Sequence, residues 1–137
     1  MKIIPAMFMS VAVLLSLATP VVAQQSDLMK IDVPFNFVAE NQRMLAGAYT
    51  IQRMQNGRLL VRSADSTIAT TVLSLPVPLQ DNAAESQVVF HRYGSDYFLA
   101  EIRVRGQNTG REVLRGKEET QIAHKGIPRV LASLAAH

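Results

Sequence analysis

Along most of the chain, apolar and polar residues alternate with a period of two, the spacing of strands that put one face into a core. From Lys30 to Val38, the residues Ile31, Val33, Phe35 and Phe37 fall on one side, with Asp32, Pro34 and Asn36 on the other. Pro34 has no N–H to give to a ladder, which places this strand at a sheet edge. Glu40 to Arg43 reads as a polar turn, and Met44 to Ala48 leads into a strand over Tyr49–Met54, with Gly47 free to take a positive φ at the entry. Tyr49 stands where a tyrosine corner would, a buried ring returning its hydroxyl to upstream backbone; a half-buried strand aromatic is the commoner alternative.

The clearest turn is Gln55-Asn56-Gly57. A two-residue Asn-Gly loop would mix polarity on both faces of the hairpin. A three-residue loop with Gly57 left-handed pairs Met54 with Arg58. It gathers Tyr49, Ile51, Leu59 and Val61 on one face and leaves Thr50, Gln52, Arg58 and Arg62 on the other. The cleaner separation selects that register. A turn at Asp65-Ser66 then pairs Val61 with Thr70, and the β-branched strand Thr67–Leu75 adds Ile68, Thr70 and Val72 to the core. Pro76 and Pro78 are expected to stop the ladder and open a long connection, Pro76 to Glu85.

The stretch Gln87–Arg105 is a hairpin about Tyr93-Gly94-Ser95-Asp96, pairing Arg92 with Tyr97. Strict alternation puts Val89, His91, Phe98, Ala100, Ile102 and Val104 on one face. Val88, Phe90, Arg92, Tyr97, Leu99, Glu101 and Arg103 take the other. Both faces carry large apolar residues, so the hairpin is central and covered on both sides. Gly106–Gly110 is a turn, Arg111–Leu114 a short strand or a helix start, and Glu118–His124 a short helix. The tail 124–137 reads as a flexible or helical end.

The first residues change the picture. Met1-Lys2, an apolar run from Ile3 to Leu17, Thr19-Pro20 and Val21-Val22-Ala23 have the layout of a secretory signal peptide cleaved after Ala23. An uncleaved anchor is the alternative. The domain plan is then a signal peptide over 1–23, a polar leader over 24–29, a β-domain over 30–123 and the tail over 124–137. The protein is expected to be exported, to the periplasm or beyond. The 137 residues suffice for one core. With no cysteine, disulfides, thiolate nucleophiles and cysteine metal sites are excluded. Losing Lys2 takes the formal charge from +3 to +2.

Two segments together carry a resemblance: Val33-Pro34-Phe35-Asn36-Phe37-Val38 running into Leu45-Ala46-Gly47-Ala48-Tyr49-Thr50-Ile51, and Val89-Phe90-His91-Arg92-Tyr93-Gly94 with Tyr97-Phe98-Leu99-Ala100-Glu101. Over roughly Ile31 to Ala123 the chain resembles a group of small exported bacterial β-proteins of uncharacterised function, common in soil acidobacteria. The resemblance implies export and a compact β-domain. It implies no activity and no catalytic residue.

Candidate chemistry is sparse. His91 with Asp96 or Glu101 has the makings of a base oriented by a carboxylate. Strict alternation, however, puts Glu101 on the opposite face from His91 and Asp96 near the turn. His91, His124 and His137 are too far apart in sequence to suggest a metal site, and Asp81, Asn82 and Glu85 lack the spacing of a calcium loop. Gly110 to Lys117 has the wrong spacing for a phosphate loop, and Glu118 stands where Ser or Thr belongs. No cofactor is expected. A basic excess in the last third singles out Arg103, Arg105, Arg111, Arg115 and Lys117 as contacts for an anionic partner. Envelope polysaccharide, anionic lipid headgroups and another envelope protein fit export; nucleic acid does not.

The expectation is therefore an all-β domain of six or seven antiparallel strands. It forms a small sandwich or partly open barrel, a meander of hairpins with a short C-terminal helix. Its core is Phe35, Phe37, Tyr49, Ile51, Leu59, Val61, Val72, Phe90 or Val89, and Leu99 or Ile102. The function it suggests is a non-enzymatic binding module of the envelope or extracellular space. A self-associating structural subunit is the alternative, and a hydrolase using His91 a third reading. The loops Pro76–Glu85 and Gly106–Gly110, at the hairpin's ends, are the places to look for a ligand.

Overall fold

The computed structural model describes residues 29–137. The predicted signal peptide Met1–Ala23 and the leader residues as far as Leu28 lie outside the described residues. Those described are mostly β, with one short helix. In chain order the elements are β1 (Met29–Val33), β2 (Phe37–Ala39), β3 (Gln42–Met44), β4 (Gly47–Arg53), β5 (Arg58–Ser63), β6 (Ala69–Pro78), β7 (Gln87–Tyr93), β8 (Asp96–Arg103), β9 (Thr109–Val113), α1 (Lys117–His124) and β10 (Val130–Ala135). None of these is a helix long and apolar enough to cross a membrane.

The sheet runs β1-β4-β5-β6-β9-β8. Strand β8 has β7, then β10, along one edge; its other edge is shared by β9, at Glu101 and Ile102, and by β2, at Phe98. It is not a meander in chain order, since β6 pairs with β9 rather than with β7. The sheet stays open. Just after β10, His137 exchanges backbone hydrogen bonds of 3.0 and 2.9 Å with Lys30 of β1.

The registers predicted for the first hairpins are present: Ile51 opposes Val61, Met54 N–H donates to Arg58 O, Gly57 has φ 80°, and Val61 opposes Thr70. The inner face carries Ile31, Tyr49, Ile51, Leu59, Val61, Val72, Phe90, Leu99 and Ile102, all buried, with Phe35 packed partly exposed against them. Phe37 meets Tyr49 and Phe90 edge-on, and Phe35 stacks on Tyr97 with 3.7 Å between centroids. Tyr49 is a tyrosine corner: its ring is buried and its hydroxyl donates to Leu45 O.

The described residues hold ten strands where six or seven were expected. Three places account for the excess. The prolyl break at Pro34–Asn36 splits the first predicted strand, so that β1 pairs with β4 while β2 crosses to β8. Gln42–Met44, which begins within the predicted turn Glu40–Arg43, folds back on β2 as β3. The tail is not a helical or frayed end: Val130–Ala135 pairs with β7 through six residues, turning Ala132 and Leu134 toward the core. The edge of β7 would otherwise present unpaired backbone groups, and pairing them overrides the helical preference of Leu and Ala.

Strand β6 also runs on through both prolines, to Pro78. Leu79 N–H donates to Asn108 O, so odd-numbered residues bond toward β9. The nitrogens of Pro76 and Pro78 therefore point to the side that β5 leaves after its Arg58–Leu73 pair, where no donor is needed.

Candidate functional site

The outer face of the β7–β8 hairpin is covered at one end by α1 and bordered at the other by the loop after β6. Its residues are set by a β-bulge that strict alternation misses. Phe90 opposes Leu99, but Val89 opposes Glu101, leaving Ala100 as the extra residue. Beyond the bulge the two faces of β8 exchange. Ile102 turns inward with Val88 and Phe90, while Glu101 and Arg103 come out onto the face of His91. The expected separation of His91 from Glu101 is thus overturned.

These side chains floor an open cavity of about 660 Å³. Gln87, His91, Ala100, Glu101 and Arg103 come from the hairpin, and Glu112 from β9; Val77 to Glu85 form the wall. The size is that of a small-molecule site. The wall is tied to the next turn by Ala83, whose N–H donates to Gln107 O (3.0 Å) and whose carbonyl accepts from Gly106 N–H (2.8 Å). Glu101 and Glu112 stand directly opposite each other, an arrangement of like charges that costs stability unless a cation intervenes. Arg103 supplies it, donating through Nε (2.9 Å) and Nη2 (3.3 Å) to the two Glu101 oxygens. That hydrogen bond raises the Arg103 pKa further, against a smaller opposing effect of burial.

Helix α1 covers the other end. Ile122 and Ala123 pack on Val38, Tyr93 and Phe98. Its start is docked on the β2–β3 turn, where Lys117 N–H donates to Asn41 Oδ1 at 3.1 Å. Gly116 is required there, because a Cβ would lie 1.8 Å from Glu40 O. On the same helix face Glu119 is buried, 3% exposed. Its Oε2 has Arg115 Nε at 3.1 Å, His91 Nδ1 at 3.3 Å and the Tyr93 hydroxyl at 3.4 Å. Burial, then the Glu119 charge, raises the Tyr93 pKa. His91 thus joins this buried cluster to the cavity.

The partner of His91 is neither Asp96 nor Glu101 but Glu119, on α1. The signal was present in the helix period. Glu119, Ile122 and Ala123 stand at i, i+3 and i+4, which puts the carboxylate on the apolar face.

The five predicted cations do not converge. Arg103 lies in the cavity on Glu101, and Arg115 on Glu119. Arg111 turns inward, donating to Ser74 Oγ (3.0 Å), Gly57 O (3.1 Å) and Ser74 O (3.1 Å). Arg105 and Lys117 are exposed, and among the described residues only their backbone N–H groups are engaged. Among the described residues, no group of three or more His, Asp or Glu is arranged to hold a metal. The loop Pro76–Glu85 borders the cavity; of the turn Gly106–Gly110, no residue lines it.

No protein-family model, curated protein or solved structure matches the chain.

Proposed function

We propose that the protein is a non-enzymatic binding module of the bacterial envelope or extracellular space, exported by its first 23 residues, with its ligand site in the hairpin cavity. The observation that carries this reading is the cavity itself: an open space of about 660 Å³ on a paired scaffold. Its lining offers carboxylates, side-chain amides, one histidine and one arginine. The amide and charged groups around it suit a hydroxyl-rich ligand, and envelope polysaccharide is the partner class we favour. Anionic lipid headgroups fit less well, because four carboxylates and one arginine line the space. The scaffold that goes with this reading is a partly open barrel, supported by the backbone bonds between Lys30 of β1 and His137, just after β10.

Titrating the purified protein with isolated envelope polysaccharide, by calorimetry, tests the reading. Ala84 is exposed on the cavity wall, so Ala84→Trp should obstruct the space without touching the core. Binding should weaken at least about tenfold, with an unchanged melting temperature. Equal binding by the two proteins, or none by either, would sink the assignment.

A second reading, self-association, is supported by Leu73, Leu75 and Leu114. They are exposed by 38%, 54% and 37%, the first two on the outer side of β6 and the third just after β9. Leu75→Lys should then shift a concentration-dependent mass to the monomer in light scattering. A protein that is monomeric at every concentration removes this reading.

A further inference from the structure

The cavity reading leaves the chemistry of the ligand open, and the His91–Glu119 pair narrows it. Arg115 has only donors to offer and bonds the Glu119 Oε2 at 3.1 Å. The Glu119 carboxylate is therefore held as an acceptor. A carboxylate facing Nδ1 requires that nitrogen to carry the hydrogen, so the neutral imidazole keeps its lone pair on Nε2. His91 also lines the cavity, and in the neutral ring its free polar atom is thus an acceptor.

The rest of the lining points the same way. Asp81, Glu85 and Glu112 are acceptor-only groups with no ion pair or side-chain hydrogen bond among the described residues, and Glu101 already holds Arg103. Four carboxylates against one guanidinium give the lining a formal charge of −3 with His91 neutral. A ligand for this space has to bring hydrogen-bond donors and positive charge.

We infer that the cavity takes a ligand bearing protonated primary amines, with His91 Nε2 and the Glu112 carboxylate as acceptors. Glu119 is the positioning residue that sets the His91 tautomer from behind. The inference rests on the cavity being the ligand site, and it specifies which class of ligand that site selects. Each ammonium group carries three donors and a compact charge, and so answers both requirements at once.

The test uses two matched pairs of probes at pH 7. One is a glucosamine tetramer with its N-acetylated form, the other a tetralysine peptide with its Nε-acetylated form. Within each pair only the amine differs, and comparison between pairs shows whether the amine is read on a sugar or on a peptide. The amine form of at least one pair should bind about tenfold tighter than its acetylated partner. Glu112→Gln, an exposed change, should reduce that preference several-fold. In ¹⁵N spectra of the protein at pH 8, His91 should show a protonated Nδ1 and a bare Nε2, and Glu119→Gln should disturb that pattern. Equal or tighter binding of the acetylated forms, no binding of any probe, or an Nε2-protonated His91 overturns the inference. If the polysaccharide titration still responds to Ala84→Trp in those cases, the cavity reading stands and only the ligand class falls.

Discussion

Single residues decide more of this molecule than their share of the sequence suggests. Tyr49 was legible in part, because its position at the entry of a strand after a glycine is that of a tyrosine corner. Its hydroxyl partner, Leu45 O, confirms that less common alternative. Asp65 looked like an ordinary turn residue, yet one oxygen accepts from Ser63 Oγ (2.6 Å), Thr67 Oγ1 (2.7 Å) and Thr67 N–H (3.1 Å). The Ser63 and Thr67 side chains, then the Thr67 amide, hold its carboxyl at about 2, below the ordinary 3.8. A carboxyl whose folded pKa lies below its unfolded value stabilises the fold above the unfolded value, and that contribution is lost as pH falls through the folded one. Melting temperature should therefore drop between about pH 4 and pH 2. Asp65→Asn keeps an acceptor for the same donors but has no proton to gain, so its acid limb should be shallower. Parallel curves for the two proteins would count against this account.

At the scale of elements, the local hairpins were readable because face separation and turn chemistry both act over a few residues. Gly57 and the run of β-branched residues in β6 were enough. The features that failed are those decided by a distant neighbour. The bulge at Ala100 cannot be seen in β8 alone. It follows from the need to bury Ile102 while β9 runs alongside at Glu101 and Ile102. The tail is the same case. Its leucines and alanines suit a helix, and only the open edge of β7 makes a strand of them. Ending the chain after Arg129 should leave that edge bare. The shortened protein is expected to melt lower and to associate with rising concentration, since an exposed paired-strand edge recruits other chains. Light scattering that shows a stable monomer would mean β10 is dispensable cover.

For the whole molecule, the topology was the least legible level. Sequence suggests consecutive hairpins, but the β6–β9 pairing and the crossing of β2 to β8 depend on how distant segments close over a shared core. The candidate site was legible only in fragments for this reason. The hairpin, the 77–85 wall and α1 were each visible, but their convergence on His91 was not.

The convergence depends on Gly116. A Cβ there would fall 1.8 Å from Glu40 O and 2.7 Å from Asn41 Oδ1, so Gly116→Ala forces α1 away from the β2–β3 turn. The Glu40 carbonyl is main chain and cannot rotate aside. Overpacking of this kind costs about 1–3 kcal/mol, which lowers the melting temperature by several degrees in a domain of this size. If α1 were only a cover, nothing else would change. If it carries Glu119 to His91 as the geometry indicates, displacing it also frees the imidazole tautomer and exposes the buried carboxylate. Gly116→Ala should therefore show three changes together: a lower melting temperature, loss of the Nδ1-protonated His91 signature in ¹⁵N spectra, and a weaker preference for amine-bearing probes. A fall in melting temperature with the His91 signature intact would separate helix docking from the site. Glu119 would then be a structural group that satisfies Arg115 and Tyr93 alone.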